Sequence, residues 1–597
     1  MENVISDSVE QASDRERREA HSHVRSWTLS RVTELLAGVL VSGAVFFYLQ
    51  FSTDAILDVD GYYHIRWSRL LWEGLRAGQF PPAFPWLPLT TLNPQDYVDH
   101  HLLFHILQIP FTWFADIRLG AKVAAAVFGT LAVASCYWLI LRYRIKYSFV
   151  WLVALLACAA PFLYRMSMAR AQSVSIIFMV AGIYFLFERR YWLLAPLAFL
   201  YVWTYSLFVM LCAAAVIWAG VMLWTERRIE WRPVVWTALG TIAGFLINPY
   251  FPDNVRLFTA HLLMKAKPTE FTTSVGMEWY PYESWYLLGS CFIAFVAMIA
   301  GYVAYDSTDK ERARRPLFFL VFSTILLIMT ARSRRFVEYW PPFAVLFAAF
   351  SMQPLLEGVR RSVASRLPSD MLDELQPFLD HHERPEVAAR NRRRENWQTV
   401  MATGVALILA AVMIVNVHET SKEIAGDQPP DAYRGGMEWI RLNVPAGARV
   451  FNTDWDDFPK MFFYDTTHAY VSGLDPTYLL NANPELSNLY VEITLGRNNY
   501  DAGPVIRDRF GAHYVFGDKE EIHDNFYFKA LDSGWFEKVY EDDYCAVLRI
   551  RDEKGTPSTD NEGEATTPDA GAEVEDGADN MDEGSGENVP DAETQQP

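Results

Sequence analysis

Residues 33–66, TELLAGVLVSGAVFFYLQFSTDAILDVDGYYHIR, pass without a break from an apolar run into a segment holding carboxylates, an imidazole and a guanidinium. The apolar part, 33–51, has the length and composition of a membrane helix. It follows a polar stretch, residues 1–32, that contains Arg15, Arg17, Arg18, Arg25 and Arg31. No small-residue cleavage site follows the apolar run, so it reads as an uncleaved first helix with a cytoplasmic N-terminal segment. The charged residues after Phe51 then emerge on the outer face.

Working outward, further apolar runs fall near 119–141, 147–163, 172–187, 191–206, 207–224, 233–250, 285–305, 316–331, 336–353 and 399–417. Residues 102–114 are apolar but short, and read as a re-entrant or juxtamembrane helix. Basic residues mark alternate loops: Arg142, Arg144 and Lys146; Arg189 and Arg190; Arg227, Arg228 and Arg232; Lys310 to Arg315; and the charged insertion 354–398, read as helical with breaks at Pro368, Pro377 and Pro385. Assigning these to the cytoplasm brings residues 52–118, the turn 164–171, residues 251–284, residues 332–335 and everything after 418 to one outer face. The expected architecture is a polytopic α-helical membrane protein of about 11 to 13 transmembrane helices with a C-terminal extracytoplasmic α/β domain over 418–551. The expected location is the plasma (inner) membrane.

The composition fits this division. The 597 residues are 51% hydrophobic and carry a net charge of -19. Residues 552–597 hold 15 acidic residues against one Lys, so most of that charge belongs to a tail too poor in apolar side chains to form a core, expected to be disordered. What remains has no basic footprint for nucleic acid. Four of the five cysteines lie in apolar runs and only Cys545 lies in the C-terminal part, which excludes a disulfide framework or a zinc cluster. Within 418–551, helical stretches (436–443, 458–464, 485–496, 519–532) alternate with strand-like ones (448–453, 469–472, 513–516, 537–540, 544–550), the pattern of a small α/β domain.

The candidate chemistry sits in the outer loops. Asp58 and Asp60 follow the first span, where carboxylates are either solvated or used. Asp99, His101 and His105 come later in the same loop; on a helix His101 and His105 share a face, and with a carboxylate they could hold a divalent ion or simply form hydrogen bonds. Glu278 stands among aromatics, where desolvation would raise its pKa, or it is a surface residue. Arg332, Arg334 and Arg335 oppose the positive-inside tendency at the outer end of a span and suit a phosphate, or an anionic lipid headgroup. Asp454, Trp455, Asp456 and Asp457 directly follow a strand; they could receive a hydroxyl-bearing acceptor or cap the next helix.

In order and spacing these loops resemble the catalytic subunit of oligosaccharyltransferases, within the GT-C class of integral membrane glycosyltransferases. Asp58-Val59-Asp60-Gly61-Tyr62-Tyr63-His64 is similar to the family's first acidic motif. Ser274-Val275-Gly276-Met277-Glu278 looks like the pair that precedes its catalytic Glu, with one extra residue. Ser333-Arg334-Arg335-Phe336 with Pro341-Pro342 resembles its Arg-Phe element near the lipid pyrophosphate, and Trp455-Asp456 matches the end of its Trp-Trp-Asp acceptor motif. Two departures stand out. The turn Tyr164 to Gln172 carries Arg165 and Arg170 where the family's second acidic motif has carboxylates, and Asp454 replaces the first Trp.

The resemblance implies a GT-C-like transmembrane domain over 33–353, with outer loops 52–118 and 251–284, and a last helix at 399–417. It implies transfer of a sugar or oligosaccharide from a polyprenyl-phosphate or pyrophosphate donor to a protein, glycan or lipid acceptor. Asp60, with Asp58 and Glu278, would be catalytic; Arg334, Arg335 and Arg170 would bind the donor phosphate; Trp455 and Asp456 would line the acceptor entrance. A divalent cation, Mg or Mn, on Asp60, Asp99 and His101 is the candidate cofactor, and membrane lipids are expected partners. Because the second acidic motif is missing, arginines could supply the counter-charge instead. The rival readings are a polytopic transporter or lipid flippase, and an inactive GT-C-like scaffold in glycan assembly.

Overall fold

The computed structural model describes residues 29–266, 276–357, 385–426 and 429–556, with side chains described outside 260–266 and 385–391. Among them, five helices are long and apolar enough to cross a membrane: Leu29–Gln50, Ile117–Arg142, Ser206–Glu226, Lys310–Arg332 and Arg392–Ala425. Two bent pairs, Ser148–Ala157 with Ala160–Ser167 and Ser284–Ser290 with Phe292–Ala304, bring the number to seven if each is one span. The other runs among the about 11 to 13 expected helices form shorter ones. The runs at 172–187 and 191–206 form the short helices Gln172–Phe187 and Tyr191–Val202, and 233–250 yields the 15-residue helix Arg232–Leu246, all below the ~20 residues of a full crossing. Residues 102–114 form Leu102–Gln108 and a 3-10 turn, Ile109–Trp113.

Helix starts follow from capping. The Asp116 side chain accepts from the Arg118 N–H ahead of Ile117–Arg142, and Asp309 accepts from Glu311 and Arg312 ahead of Lys310–Arg332. The bend of 82° between Ser148–Ala157 and Ala160–Ser167 has a local cause. Ala159 is extended and Pro161 lacks the N–H that would continue the ladder. The carbonyls freed there find new donors: Asn416 Nδ2 donates to Ala157 O at 3.0 Å, and Ala294 N–H to Cys158 O at 3.2 Å. Tyr164 to Ser167, expected as part of an outer turn, are therefore helical, and the redirected helix carries Arg165 and the following Arg170 towards the site.

The core of the bundle is aromatic, with Phe319, Phe322, Phe343, Phe347 and Trp340 fully buried. The charged insertion and the last span are not separate elements where described: one helix, Pro385–Ala425, covers both, and its Arg392–Ala425 part turns almost all of its apolar surface outward, as contact with lipid requires. Pro368 and Pro377 lie outside the described residues, as do the basic segment before residue 29 and the acidic tail from residue 557.

The C-terminal part is α/β as expected. Five strands, β1 (Arg449–Asn452), β2 (Ala469–Tyr470), β3 (Ala512–Asp518), β4 (Phe536–Glu541) and β5 (Cys545–Ile550), form one sheet in the order β2-β1-β3-β5-β4. β1 runs parallel to β2 and β3, while β5 is antiparallel to β3 and β4. The helix after β1, Phe458–Tyr464, packs on the connection between Leu29–Gln50 and Ile117–Arg142, where the helix Asp60–Arg76 lies. Trp86 meets Phe462 edge-on at 4.9 Å, and Phe84 stacks on Tyr97 at 4.2 Å. Backbone bonds join the two parts as well: Tyr470 N–H donates to Trp86 O at 2.8 Å and Thr91 N–H to Tyr478 O at 3.1 Å.

Candidate active site

The helix Asp60–Arg76 begins at Asp60, and its first turn is pressed against the turn that follows the redirected helix. Gly61 permits this: a Cβ there would stand 2.6 Å from Ile56 Cγ2 and 3.0 Å from Ala169 Cβ. Asp58 just before it has φ of 71°, the left-handed region that Asp tolerates through its short polar side chain. This backbone brings both carboxylates to one cation. Arg170 Nη2 lies 2.8 Å from Asp58 Oδ1 and 2.7 Å from Asp60 Oδ2, and Arg170 Nε also bonds Asp58.

The same guanidinium reaches Glu278, with Nη1 3.4 Å from Oε2. Glu278 also accepts from Arg165 Nη1 at 2.9 Å and from Arg335 Nη1 at 2.8 Å. Arg165 turns its other edge to Glu338, which is fully buried, and Arg335 Nη2 donates to Tyr205 at 2.9 Å while its guanidinium lies 4.8 Å from the Trp279 ring. Three arginines and four carboxylates thus form one connected, largely buried network. Glu278 was expected to have a raised pKa. Burial does oppose its charge, but Arg335, Arg165 and Arg170 outweigh burial and hold its carboxyl well below the usual range. Asp60 goes the other way: burial, with Asp58 and Glu278 nearby, pushes it up to about 7 despite Arg170.

Two cavities meet at this network. The first, about 120 Å³, is lined by Asp60, Arg170, Glu278, Arg335 and His101 among others. The second, about 260 Å³, is lined by Asp58, Tyr62, Tyr164, Asp456 and Asp457 among others. Asp456 meets solvent, yet the enclosure of the cleft and the charges of Asp60, Asp454 and Asp58 push its carboxyl up. Trp455 packs on the loop leading to Glu278; its ring lies 3.8 Å from where a Gly276 Cβ would be. The structure thus brings Asp58, Asp60, Glu278, Arg170, Arg335, Trp455 and Asp456 around one junction. Ser274 and Val275 lie outside the described residues.

Arg334 is turned away. Its Nε donates to Pro281 O at 3.2 Å and its guanidinium lies 5.3 Å from the Tyr282 ring, so of the adjacent pair only Arg335 enters the cavity. The suggested metal set does not fit either. Asp99 is engaged by His105 Nδ1 at 2.7 Å and Trp67 Nε1 at 2.9 Å, and by the His101 N–H at 2.9 Å. Asp58, Asp60 and Glu278 share Arg170, which stands where a cation between them would be. Among the described residues no group of three or more His, Cys, Asp or Glu converges as a metal site.

Several residues escaped the sequence reading. His105 Nε2 lies 2.7 Å from His64 Nδ1, which continues the Asp99–His105 pair to His64 at the cavity wall. Burial, with His105 and Arg170 beside it, holds His64 well below its ordinary pKa, so its ring is neutral. Its Nδ1 and the His105 Nε2 therefore share one proton between them. Tyr205 and Glu338 were also missed, and Arg165 was noted only as a departure from the acidic motif; a Glu just inside an apolar run was the available signal for Glu338.

No protein-family model matches the chain, and a comparison with curated proteins returns no match. Solved structures do match. The apo oligosaccharyltransferase of Archaeoglobus fulgidus superposes with a TM-score of 0.57 at 10% identity, covering 81% of this chain and 69% of that one. The oligosaccharyltransferase AglB of Archaeoglobus fulgidus, in complex with an inhibitory peptide and a dolichol-phosphate, gives 0.54 at 10% identity, covering 82% and 70%. ArnT from Cupriavidus metallidurans, bound to undecaprenyl phosphate, gives 0.51 at 15% identity, covering 89% and 100%. The fold is therefore that of the oligosaccharyltransferase-like GT-C glycosyltransferases. At these identities the likeness extends to the fold and leaves the chemistry to be argued from this chain's own residues.

Proposed function

We propose that the protein is a membrane glycosyltransferase of the oligosaccharyltransferase-like GT-C type. It takes a sugar or oligosaccharide from a polyprenyl-phosphate or pyrophosphate donor and passes it to an acceptor on the outer face of the plasma membrane, with the N-terminus cytoplasmic. The observation that carries this reading is a pair of unsatisfied groups in the smaller cavity. Arg335 Nε and His101 Nε2 are both buried without a hydrogen-bond partner among the described residues, and both residues line that cavity beside Asp60. A buried donor without a partner costs about 1–3 kcal/mol, and phosphate oxygens would satisfy a guanidinium N–H and an imidazole N–H together. Two of the structural neighbours hold polyprenyl phosphates, which agrees with that ligand.

In this reading Arg335 and Arg170 hold the departing phosphate, where fixed positive charge favours the leaving anion. Asp60 lines the smaller cavity, with its Arg170 partner Asp58 on the wall of the larger one, and removes the proton from the acceptor as the acceptor oxygen or nitrogen attacks the anomeric carbon; its raised pKa makes it a stronger base near neutral pH. Glu278, on the wall of the donor cavity, positions the three arginines. Trp455 and Asp456 border the acceptor side. The arginine network supplies counter-charge from the chain itself, which favours transfer over a scaffold or flippase role.

The test uses the full-length protein in detergent with undecaprenyl phosphate. Saturable binding that falls about tenfold in Arg335→Gln, together with sugar transfer from a polyprenyl-phosphate donor that is lost in Asp60→Asn, is the expected result. Donor binding unchanged by Arg335→Gln, or transfer unchanged by Asp60→Asn, overturns the proposal.

A further inference from the structure

The larger cavity carries an excess of carboxylates. Its wall carries Asp58, Asp454, Asp456, Asp457 and Glu520 against the single ammonium of Lys460. Arg170 neutralises Asp58, but it bonds none of the other four. Crowding alone does not make a site, yet Asp457 adds an independent observation. Its side chain is 5% exposed, Oδ1 accepts from Tyr433 OH at 2.6 Å, and Oδ2 is buried with no partner among the described residues while the residue lines the cavity. A buried carboxylate oxygen left bare is costly; burial pushes the Asp457 carboxyl up towards its protonated form, and a charged donor at Oδ2 is what would keep it ionised.

The rest of the wall indicates what donor. Tyr62, Tyr164 and Tyr433 present aromatic surface. The chain's own ammonium, Lys460 Nζ, already lies 5.3 Å from the Tyr433 ring and 5.9 Å from the Tyr62 ring, so this wall accommodates a primary ammonium. At about 260 Å³ the space exceeds what a bare ion needs and suits one sugar ring, whose hydroxyls donate to carboxylates and whose face stacks on tyrosine. An anionic headgroup is repelled by the same wall.

We propose that this cavity binds an amino-sugar unit, with the protonated amine directed to Asp457 Oδ2 and the neighbouring Asp456 and Asp454. Taken with the transferase reading, on which this step rests, the amino sugar belongs to the acceptor. It lies across Asp58, Asp60 and Arg170 from the donor cavity.

The experiment titrates the full-length protein in detergent with methyl α-D-glucosaminide, its N-acetylated counterpart and Mg2+ alone, reading tryptophan fluorescence and the thermal unfolding midpoint. Saturable binding of the glucosaminide is expected, with the N-acetylated sugar at least about tenfold weaker. Asp457→Asn, which keeps the Tyr433 bond, and Glu520→Gln at the exposed rim should each weaken it, and Glu520→Gln should do so without altering the midpoint of the unliganded protein. Equal binding of both sugars, unchanged affinity in both variants, or the same response from Mg2+ alone overturns the inference. Undecaprenyl phosphate titrated into the same preparation separates the two readings: donor bound with no amine bound overturns this inference alone. Amine bound with no donor bound overturns the transferase reading and leaves the amine site standing.

Discussion

Arg170 holds Asp60 through a 2.7 Å contact between Nη2 and Oδ2, and the same nitrogen binds Asp58. The cation that sets the charge of the candidate base is therefore part of the chain.

A pH profile follows from that contact. Asp60 is pushed up to about 7 from 3.8, so its basic form grows as pH rises through neutrality and transfer rate should rise with it. Arg170 lowers the pKa, so Arg170→Gln should move the rising limb to higher pH. Stability has the opposite sign. With the folded pKa above the unfolded one, protonated Asp60 favours the fold below about pH 4, and that contribution is lost as pH rises through 7. Asp60→Asn should flatten this part of the curve of unfolding midpoint against pH.

Chelation is the second measurement. Because Arg170 occupies the space between Asp58, Asp60 and Glu278, EDTA is expected to leave transfer unchanged, and added Mg2+ or Mn2+ to leave it unraised. Loss of transfer on chelation, restored by either ion, would contradict the assignment of Arg170 as counter-charge.

Arg165→Ala removes the cation facing Glu338, whose side chain has no exposure to solvent. Breaking a buried pair from one side typically costs about 3–5 kcal/mol. A clear drop in the unfolding midpoint is expected. Arg165→Ala with Glu338→Ala should recover part of it, since the double variant leaves no charge stranded at that point.

Gly61→Ala probes position instead of charge. The new methyl would collide with Ile56 and Ala169, for about 1–3 kcal/mol of overpacking. It would also push Asp60 away from Arg170. Transfer should fall by more than the small change in midpoint accounts for, with the fall appearing in kcat more than in KM.

Asn416→Leu tests the bent span. It removes the donor to Ala157 O and should cost about 1–2 kcal/mol, read as a lower midpoint. A midpoint equal to that of the parent protein would mean that another group satisfies the carbonyl.

Much of this was legible in the sequence. The α/β part was read almost element by element, including Phe458–Tyr464 and strands near 449–452 and 545–550, because short apolar alternations bounded by turn residues carry a local signal. Asp60, Glu278, Arg335 and Trp455 could be named because charge or aromatic clusters at span ends stand out. What failed was whatever depends on long-range pairing. Glu278 was expected to be raised because its three guanidinium partners come from two distant segments. Arg334 and Arg335 look equivalent side by side, yet the 3-10 turn Arg334–Glu338 points them to different neighbours. The number of spans is not fixed by pattern either, because an apolar run of 15–17 residues reads alike whether it crosses a bilayer or lies buried against other helices.

The bonds from Tyr470 to Trp86 and from Thr91 to Tyr478 tie the C-terminal α/β part to the connection that carries Asp60–Arg76 by the backbone itself. A fragment starting at residue 429 would therefore expose an unmet sheet edge and a wide aromatic face with Phe458 and Phe462 at its centre. Soluble expression of that fragment should end in aggregates, while co-expression with the membrane half offers it the only surface it is shaped to meet. The two halves are best regarded as one folding unit, assembled only once that connection and the C-terminal part share one side of the membrane.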